Sequence, residues 1–471
     1  MKNIAVILTH QKYFKYIYLE SFLELEKSYS VTYVINKNLL KFFKVKKKYF
    51  SYRGNEKLNR IYENFILYSM SRSRFKSKTF LFKTKESFPD ILQFIKNNIF
   101  EKYLKFGIKV PYFYFLYLIY KFFTSRSFLN YFLNVIFQID IIYNWYKKKF
   151  IDKDSKNSEL NNILEDIKPE LLIYPTNFSE PEIFDIAKVK NKIKAKTLFL
   201  MDSWDNISSK TIILYPPDAL TVWGEQTKKH AIELQNIRTN KVYILGDPKF
   251  DRFFQIRNKK VKNIYNFPYV IFVGSLRYIN EIAILKILEK EIEDNKVLYK
   301  NLKIIYRPHP GFEYKFAEGL KCSFKNIVFD TQLFEFYIKQ IDFKKNNYNY
   351  YFEKLLGNSL FCIGGNSTMI LESLIFRKEY IFLCHKENFN PSSPDLIYKF
   401  FTHLHGIKKI SGLIELKNIK DLTNIFRKIY KKKTRTNITQ NNFDNQINFF
   451  YSTKNFNYSL KLANIVKKIK F

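Results

Sequence analysis

Leu360 to Leu383 read LFCIGGNSTMILESLIFRKEYIFL, and the order of residue types in this stretch decides the fold. The apolar run Leu360–Ile363 predicts a buried strand. It ends at Gly364 and Gly365, which permit a tight turn and a close approach of ligand to backbone. Asn366, Ser367 and Thr368 then open a helix, where unpaired backbone N–H groups and the positive end of the helix dipole attract phosphate. Glu372 lies five residues after Ser367, a little over one turn deeper, placed to accept hydrogen bonds from sugar hydroxyls. A second apolar run, Tyr380–Leu383, predicts the next strand. Strand, glycine turn, hydroxyl-rich helix start and strand together make a nucleotide-binding half-domain. An ordinary strand–turn–helix with a polar cap would use the same residues.

Leu302 to Pro310, LKIIYRPHP, makes the first reading more specific. A short apolar strand runs into Arg307, Pro308, His309 and Pro310. Prolines on both sides of one histidine restrict the loop and leave the imidazole little freedom. A cation and an imidazole at the carboxyl end of a parallel strand sit where open α/β sheets bind ligands.

Outward from these two segments the chain alternates strand and helix patterns. Ile4–Leu8, Val31–Ile35, Leu171–Tyr174, Thr197–Met201, Ala219–Val222 and Lys241–Leu245 read as strands of a first domain, with a helix over Tyr16–Glu26. A polar, basic linker over Gln255–Phe267 precedes a second set: Tyr269–Val273, Leu302–Tyr306, Ile327–Phe329, Leu360–Ile363 and Tyr380–Leu383. Helices are expected over Asn280–Asp294 and Thr368–Phe376, and a basic one over Tyr458–Lys470. The pattern predicts two doubly wound domains, 1–255 and 268–435, and a tail, 436–471.

Five segments in this order resemble GT-B glycosyltransferases, especially the bacterial enzymes that build capsular and other surface polysaccharides. They are LKIIYRPHP, the Gly364–Glu372 helix start, Thr221–Phe254 with its G-x-P-x-x-D turn, Leu198–Lys210 (LFLMDSWDNISSK) and Tyr269–Asn280 (YVIFVGSLRYIN). The resemblance covers roughly Glu165–Leu383. It implies two Rossmann-like domains facing a cleft, a nucleotide-sugar donor held by the second, and a glycan or lipid-linked glycan acceptor held by the first. It also implies a terminal helix that crosses back to the first domain. CDP-glycerol glycerophosphotransferases, Kdo- and sialyl-type transferases and non-hydrolysing nucleotide-sugar 2-epimerases share this fold, so those activities stay open.

Eighty Lys and Arg against 43 Asp and Glu leave a formal charge of +37. The wealth of Lys, Asn, Ile, Phe and Tyr accords with an A/T-rich coding sequence, but that bias does not require glutamate to be scarce. An anionic partner is the physical reading: a nucleotide sugar, a lipid-linked pyrophosphate, the inner leaflet or nucleic acid. A non-catalytic RNA- or membrane-binding protein is the contrasting reading, but no RNA-reading signature accompanies the charge, and no nucleic-acid partner is expected. Cys322, Cys362 and Cys384 form no CxxC or CxxH pair, which argues against a zinc site and against a disulfide framework. The opening apolar stretch, Ile4–Leu8, is too short for a signal peptide, and the cytoplasm is the expected compartment. Residues 106–150 are an aromatic-rich helical insertion. They read either as a helical pair packed on the first domain or as a surface that dips into the inner face of the membrane.

The chemistry needs a cradle for the leaving phosphate and a base for the acceptor hydroxyl. Candidates for the donor cradle are Ser275, Arg277, Arg307, His309, Gly365, Asn366, Ser367, Thr368 and Glu372. No DxD-like pair sits at a strand end, so a protein-built cradle without metal or other cofactor is expected. For the base, His10 follows the first strand and has a suitable ordinary pKa, although it also suits a turn cap. Asp202 and Asp205 follow the strand Thr197–Met201, with Trp204 between them either to stack on a sugar or to pack beneath the loop. His230 reads as structural, and His385, His403 and His405 show no metal-ligand spacing.

Overall fold

The computed structural model describes the whole chain except residues 43–46, 55–58, 89–92, 94, 102–111, 155–156, 258, 260, 276–278, 310–323, 331–349, 389–392, 436–443, 445, 452–456 and 470. Thirteen strands among the described residues form two parallel sheets. The first contains β1 (Asn3–Leu8), β2 (Ser30–Asn36), β3 (Tyr49–Tyr52), β4 (Leu171–Thr176), β5 (Lys196–Met201), β6 (Ala219–Val222) and β7 (Val242–Ile244), in the order β3-β2-β1-β4-β5-β6-β7. The second contains β8 (Tyr269–Val273), β9 (Lys303–Arg307), β10 (Ile327–Phe329), β11 (Cys362–Gly364), β12 (Tyr380–Leu383) and β13 (Leu413–Leu416), in the order β10-β9-β8-β11-β12-β13.

Central parallel strands are covered on both faces and therefore carry unbroken apolar runs. Ile4–Leu8 is wholly buried, and each such aliphatic side chain contributes roughly 1.5–3 kcal/mol relative to exposure. Two strands were not legible in this way. β3 (YFSY) follows a lysine run, and β13 (LIEL) carries Glu415; both are sheet edges, half exposed, with no continuous apolar run to betray them. In each sheet the strand order reverses beside the first strand, between β1 and β4 and between β8 and β11. Ligands bind at such switch points, beyond the carboxyl ends of the strands.

The helix expected over Tyr16–Glu26 is interrupted. Lys15–Tyr18 is one turn, Glu20 adopts φ 52°, and a second helix runs Leu23–Ser28. Where a pair is one reading of residues 106–150, the structure places three helices, Tyr112–Phe123, Arg126–Ile136 and Asp140–Asp154, and the stretch between β3 and β4 also holds Asn59–Arg72, Lys78–Ser87 and Ser158–Ile167. Helix Lys78–Ser87 reaches the second domain, where Thr79 Oγ1 donates to the Phe400 carbonyl at 3.1 Å and Phe82 stacks on Phe400 at 4.9 Å. The terminal helix Tyr458–Ile469 packs on the first domain. Ser459 Oγ accepts from the Glu24 backbone at 2.9 Å, and Tyr458 meets Tyr16.

Candidate functional site

The carboxyl ends of the two sheets face each other across a cleft of about 500 Å³. On the second-domain wall, β9 delivers Arg307, Pro308 and His309. Arg307 is fixed from behind by the fully buried Asp330 carboxylate and from the side by Phe352, whose ring centroid lies 4.6 Å from the guanidinium. Asp330 also accepts from Tyr351 Oη at 3.0 Å. The loop can lie this close to β8 because residue 274 is glycine: a Cβ there would stand 2.8 Å from the His309 backbone nitrogen and 2.9 Å from Pro308 Cα. Burial, reinforced by Lys210 of the first domain, lowers the His309 pKa, so its imidazole is neutral at pH 7.

Ser367, Thr368 and Glu372 line the same wall, so five of the residues singled out from sequence meet in one place. Ser367 Oγ accepts from the Met369 backbone N–H at 3.2 Å, just ahead of the seven-residue helix Met369–Ile375. Glu372, 5% exposed, receives Lys249 Nζ at 2.6 Å from the first domain. The other candidates stand elsewhere. Gly364 and Gly365 are close-approach positions, but the atoms they admit are the protein's own. A Cβ on Gly364 would meet Tyr380 Oη at 2.4 Å, and one on Gly365 would meet Ile279 Cδ1 at 2.5 Å and Ser275 Oγ at 2.8 Å. Ser275 is buried beneath Gly365, with its backbone N–H donating to Glu281 at 2.6 Å. Arg277 lies outside the described residues.

Asn366 belongs to a seam between the domains. Its Oδ1 lies 3.2 Å from His403 Nε2, while His403 Nδ1 lies 2.7 Å from Ser209 Oγ in the first domain. With Asn366 presenting its oxygen, Nε2 carries the proton and Nδ1 accepts from Ser209. Burial pushes the His403 pKa down to about 3 against the opposing pull of Asp205, so the strut is neutral. Trp204 packs edge-on against His403 at 4.8 Å and donates Nε1–H to Gln226 at 2.7 Å; at 1% exposure it lies beneath the loop and not against a ligand. Sequence spacing could not reveal this histidine, because its partners are 37 and 194 residues away.

The first-domain wall is built from lysines that the sequence reading missed. Lys12 and Lys15 follow β1 on successive turns, and Lys249 and Arg252 occupy one face of helix Pro248–Ile256. Asp247 caps that helix, accepting from the Lys249 backbone at 3.0 Å, and its other oxygen holds Lys15. Asp202 also takes Lys15 at 2.8 Å and Lys12 at 3.2 Å. Burial alone would raise the Asp202 pKa, but the two lysines outweigh it and hold the carboxyl down at about 2. Asp205, likewise lowered against the effect of burial, is paired with Lys210 at 2.9 Å. His10 caps the turn Gln11–Phe14, its Nδ1 accepting from the Lys12 backbone at 3.2 Å. Burial and then Lys12 lower its pKa.

Lys12, Lys15, Lys249, Arg252 and Arg307 thus line the cleft against two carboxylates, Glu353 and Glu372. Arg252 pairs with Glu353 at 3.0 Å, so helix Pro248–Ile256 is bound to the second domain through two ion pairs across the cleft floor. The excess of cations suits an anionic ligand. Among the described residues no group of His, Cys, Asp and Glu is arranged to hold a metal ion.

No protein-family model and no curated protein matches the chain. Solved structures do. The chain is similar to the glycotransferase of kitacinnamycin (8% identity, 99% of this chain and 99% of that one, TM-score 0.51). It is similar to a putative UDP-N-acetylglucosamine 2-epimerase from Listeria monocytogenes (8% identity, 99% and 96%, TM-score 0.53). It is also similar to the UDP-GlcNAc 2-epimerase from Neisseria meningitidis bound to UDP-GlcNAc (12% identity, 99% and 100%, TM-score 0.51). At such identities the likeness is one of fold: two Rossmann-like domains facing a cleft, the GT-B arrangement.

Proposed function

We propose that this chain is a GT-B enzyme acting on a nucleotide sugar, and that it transfers the sugar to a glycan acceptor. The observation that carries the reading is the convergence of Arg307, His309, Thr368 and Glu372 with first-domain lysines on a single cleft at both switch points. In this reading the donor lies along the second-domain wall. Arg307, pre-oriented by Asp330 and Phe352, meets the leaving phosphate, and neutral His309 donates a hydrogen bond to it. Glu372 keeps one oxygen for Lys249 and offers the other to sugar hydroxyls. Each hydrogen bond to charged phosphate contributes about 1.5–3 kcal/mol, so removing one lowers turnover on the order of 10- to 100-fold. Protein cations supply the charge neutralisation, and no cofactor is invoked.

The first-domain wall faces the acceptor. A carboxylate with a pKa of about 2 is a weak proton acceptor, so Asp202 serves this scheme best by holding Lys12 and Lys15 over the cleft. His10 has the better intrinsic basicity. With Nδ1 capping the turn, its neutral form carries the proton on Nε2; taking up an acceptor proton therefore requires Nδ1 to give up the Lys12 backbone N–H, and the resulting imidazolium stands beside Lys12. Resemblance of Leu198–Lys210 to surface-polysaccharide transferases supports a capsular or lipopolysaccharide acceptor. The epimerase neighbours favour a second reading, epimerisation of the free nucleotide sugar, on the same donor wall.

Thermal-shift titration with CMP, CDP, UDP and GDP and their sugar conjugates tests the site, because a ligand that binds only the folded chain raises its stability. One nucleotide should stabilise the wild type, and His309→Ala and Glu372→Ala should each weaken that binding while staying folded. Unchanged affinity in both variants refutes the donor site. Turnover of the nucleotide sugar with no acceptor present would replace transfer by epimerisation.

A further inference from the structure

Half of the large apolar side chains that stand exposed among the described residues fall between Leu116 and Trp145. On helix Tyr112–Phe123, Tyr120 (68% exposed) and Phe123 (55%) lie three residues apart on one face. On helix Arg126–Ile136, Leu129 and Phe132 repeat that spacing. The two faces are one surface, since Phe128 touches both Phe123 at 4.8 Å and Phe132 at 6.2 Å. Trp145, on the next helix, is exposed as well (58%). An apolar patch of this extent marks an interaction surface.

Charge identifies the partner. Residues 112–150 contain five basic residues and a single acid, Asp140, which is already paired with Arg72. Lys121 lies 5.6 Å from the Tyr117 ring and Lys149 lies 4.3 Å from the Trp145 ring, so the cations stand among the exposed aromatics and not on an opposite face. Among the described residues no helix is long and apolar enough to cross a membrane. We propose that this face lies on an anionic lipid leaflet, with aromatic and aliphatic side chains at the acyl–headgroup boundary and Lys121, Lys148 and Lys149 on headgroup phosphates.

Co-sedimentation of the full chain with vesicles tests this. The wild type should bind vesicles of one part phosphatidylglycerol to two parts phosphatidylcholine, should ignore phosphatidylcholine alone, and should release in high salt. At about fivefold per lysine near an anionic surface, the Lys121→Gln, Lys148→Gln, Lys149→Gln variant should bind about a hundredfold more weakly. A Phe132→Ser, Trp145→Ser variant should lose at least about tenfold through the apolar contribution. All five side chains are exposed, and an unchanged melting temperature confirms intact folding. Absence of binding to the mixed vesicles, or equal binding to phosphatidylcholine alone, overturns the proposal. So does a wild-type dimer in light scattering that becomes monomeric in the Phe132→Ser, Trp145→Ser variant, since a second copy would then cover the face.

Discussion

His403 joins the two domains through Ser209 and Asn366, and its titration makes that strut measurable. The folded chain keeps its imidazole neutral down to about pH 3, whereas the ordinary pKa is 6.5. The sign follows from proton uptake: below pH 6.5 the unfolded chain binds a proton that the folded chain refuses, so stability falls as pH falls. Between pH 7 and pH 5 the unfolded-state occupancy of that proton rises from about one quarter to nearly complete, and integration gives a loss of about 2 kcal/mol. His230, lowered to about 4 by burial, acts in the same direction. Burial raises Glu182 to about 7 and Asp185 to about 6, so these two oppose it, and the net wild-type response conceals each contribution. The variant His403→Gln isolates one. Its amide can donate to Asn366 and accept from Ser209 but does not titrate. Urea unfolding at both pH values should show the variant losing about 2 kcal/mol less than wild type on acidification. Pairs of curves that shift alike, within about 0.5 kcal/mol, would refute a buried neutral strut.

Three further outcomes follow from the same geometry. Glu182→Gln should stabilise the protein at pH 8 by about 3 kcal/mol and confer nothing at pH 4.5, because a carboxyl held at about 7 instead of 4.5 disfavours the folded state once both are ionised; denaturant curves at the two pH values measure this. A double-mutant cycle on Lys249→Met and Glu372→Gln should return a coupling of about 1–2 kcal/mol, reflecting a pair that is mostly buried; additive effects would mean the helix Pro248–Ile256 is not held by that contact. Gly224→Ala would drive a Cβ to 2.5 Å from the Phe450 carbonyl oxygen, a backbone atom that cannot swing away, and a loss of about 2–3 kcal/mol in thermal unfolding is expected.

The second-domain wall of the cleft was readable because its parts are local. A strand-end R-P-H-P and a strand-end G-G-N-S-T each carry their geometry within ten residues, and the order of strands between them obliges both to the same edge of a parallel sheet. Edge strands such as Tyr49–Tyr52 were not readable, since a half-exposed strand needs no apolar run.

By itself the sequence determined two doubly wound domains, the second-domain residues Arg307, His309, Ser367, Thr368 and Glu372 as one wall, and an aromatic, basic insertion. Only the tertiary structure decided what opposes that wall. Lys15 acquires its position from Asp202 and Asp247, 187 and 232 residues away, Lys12 is held by the same Asp202, and His403 acquires its role from a residue in the other domain. Charge pairing across a cleft depends on distance in space. Hydrophobic periodicity and turn chemistry, which sequence does display, depend on neighbours along the chain.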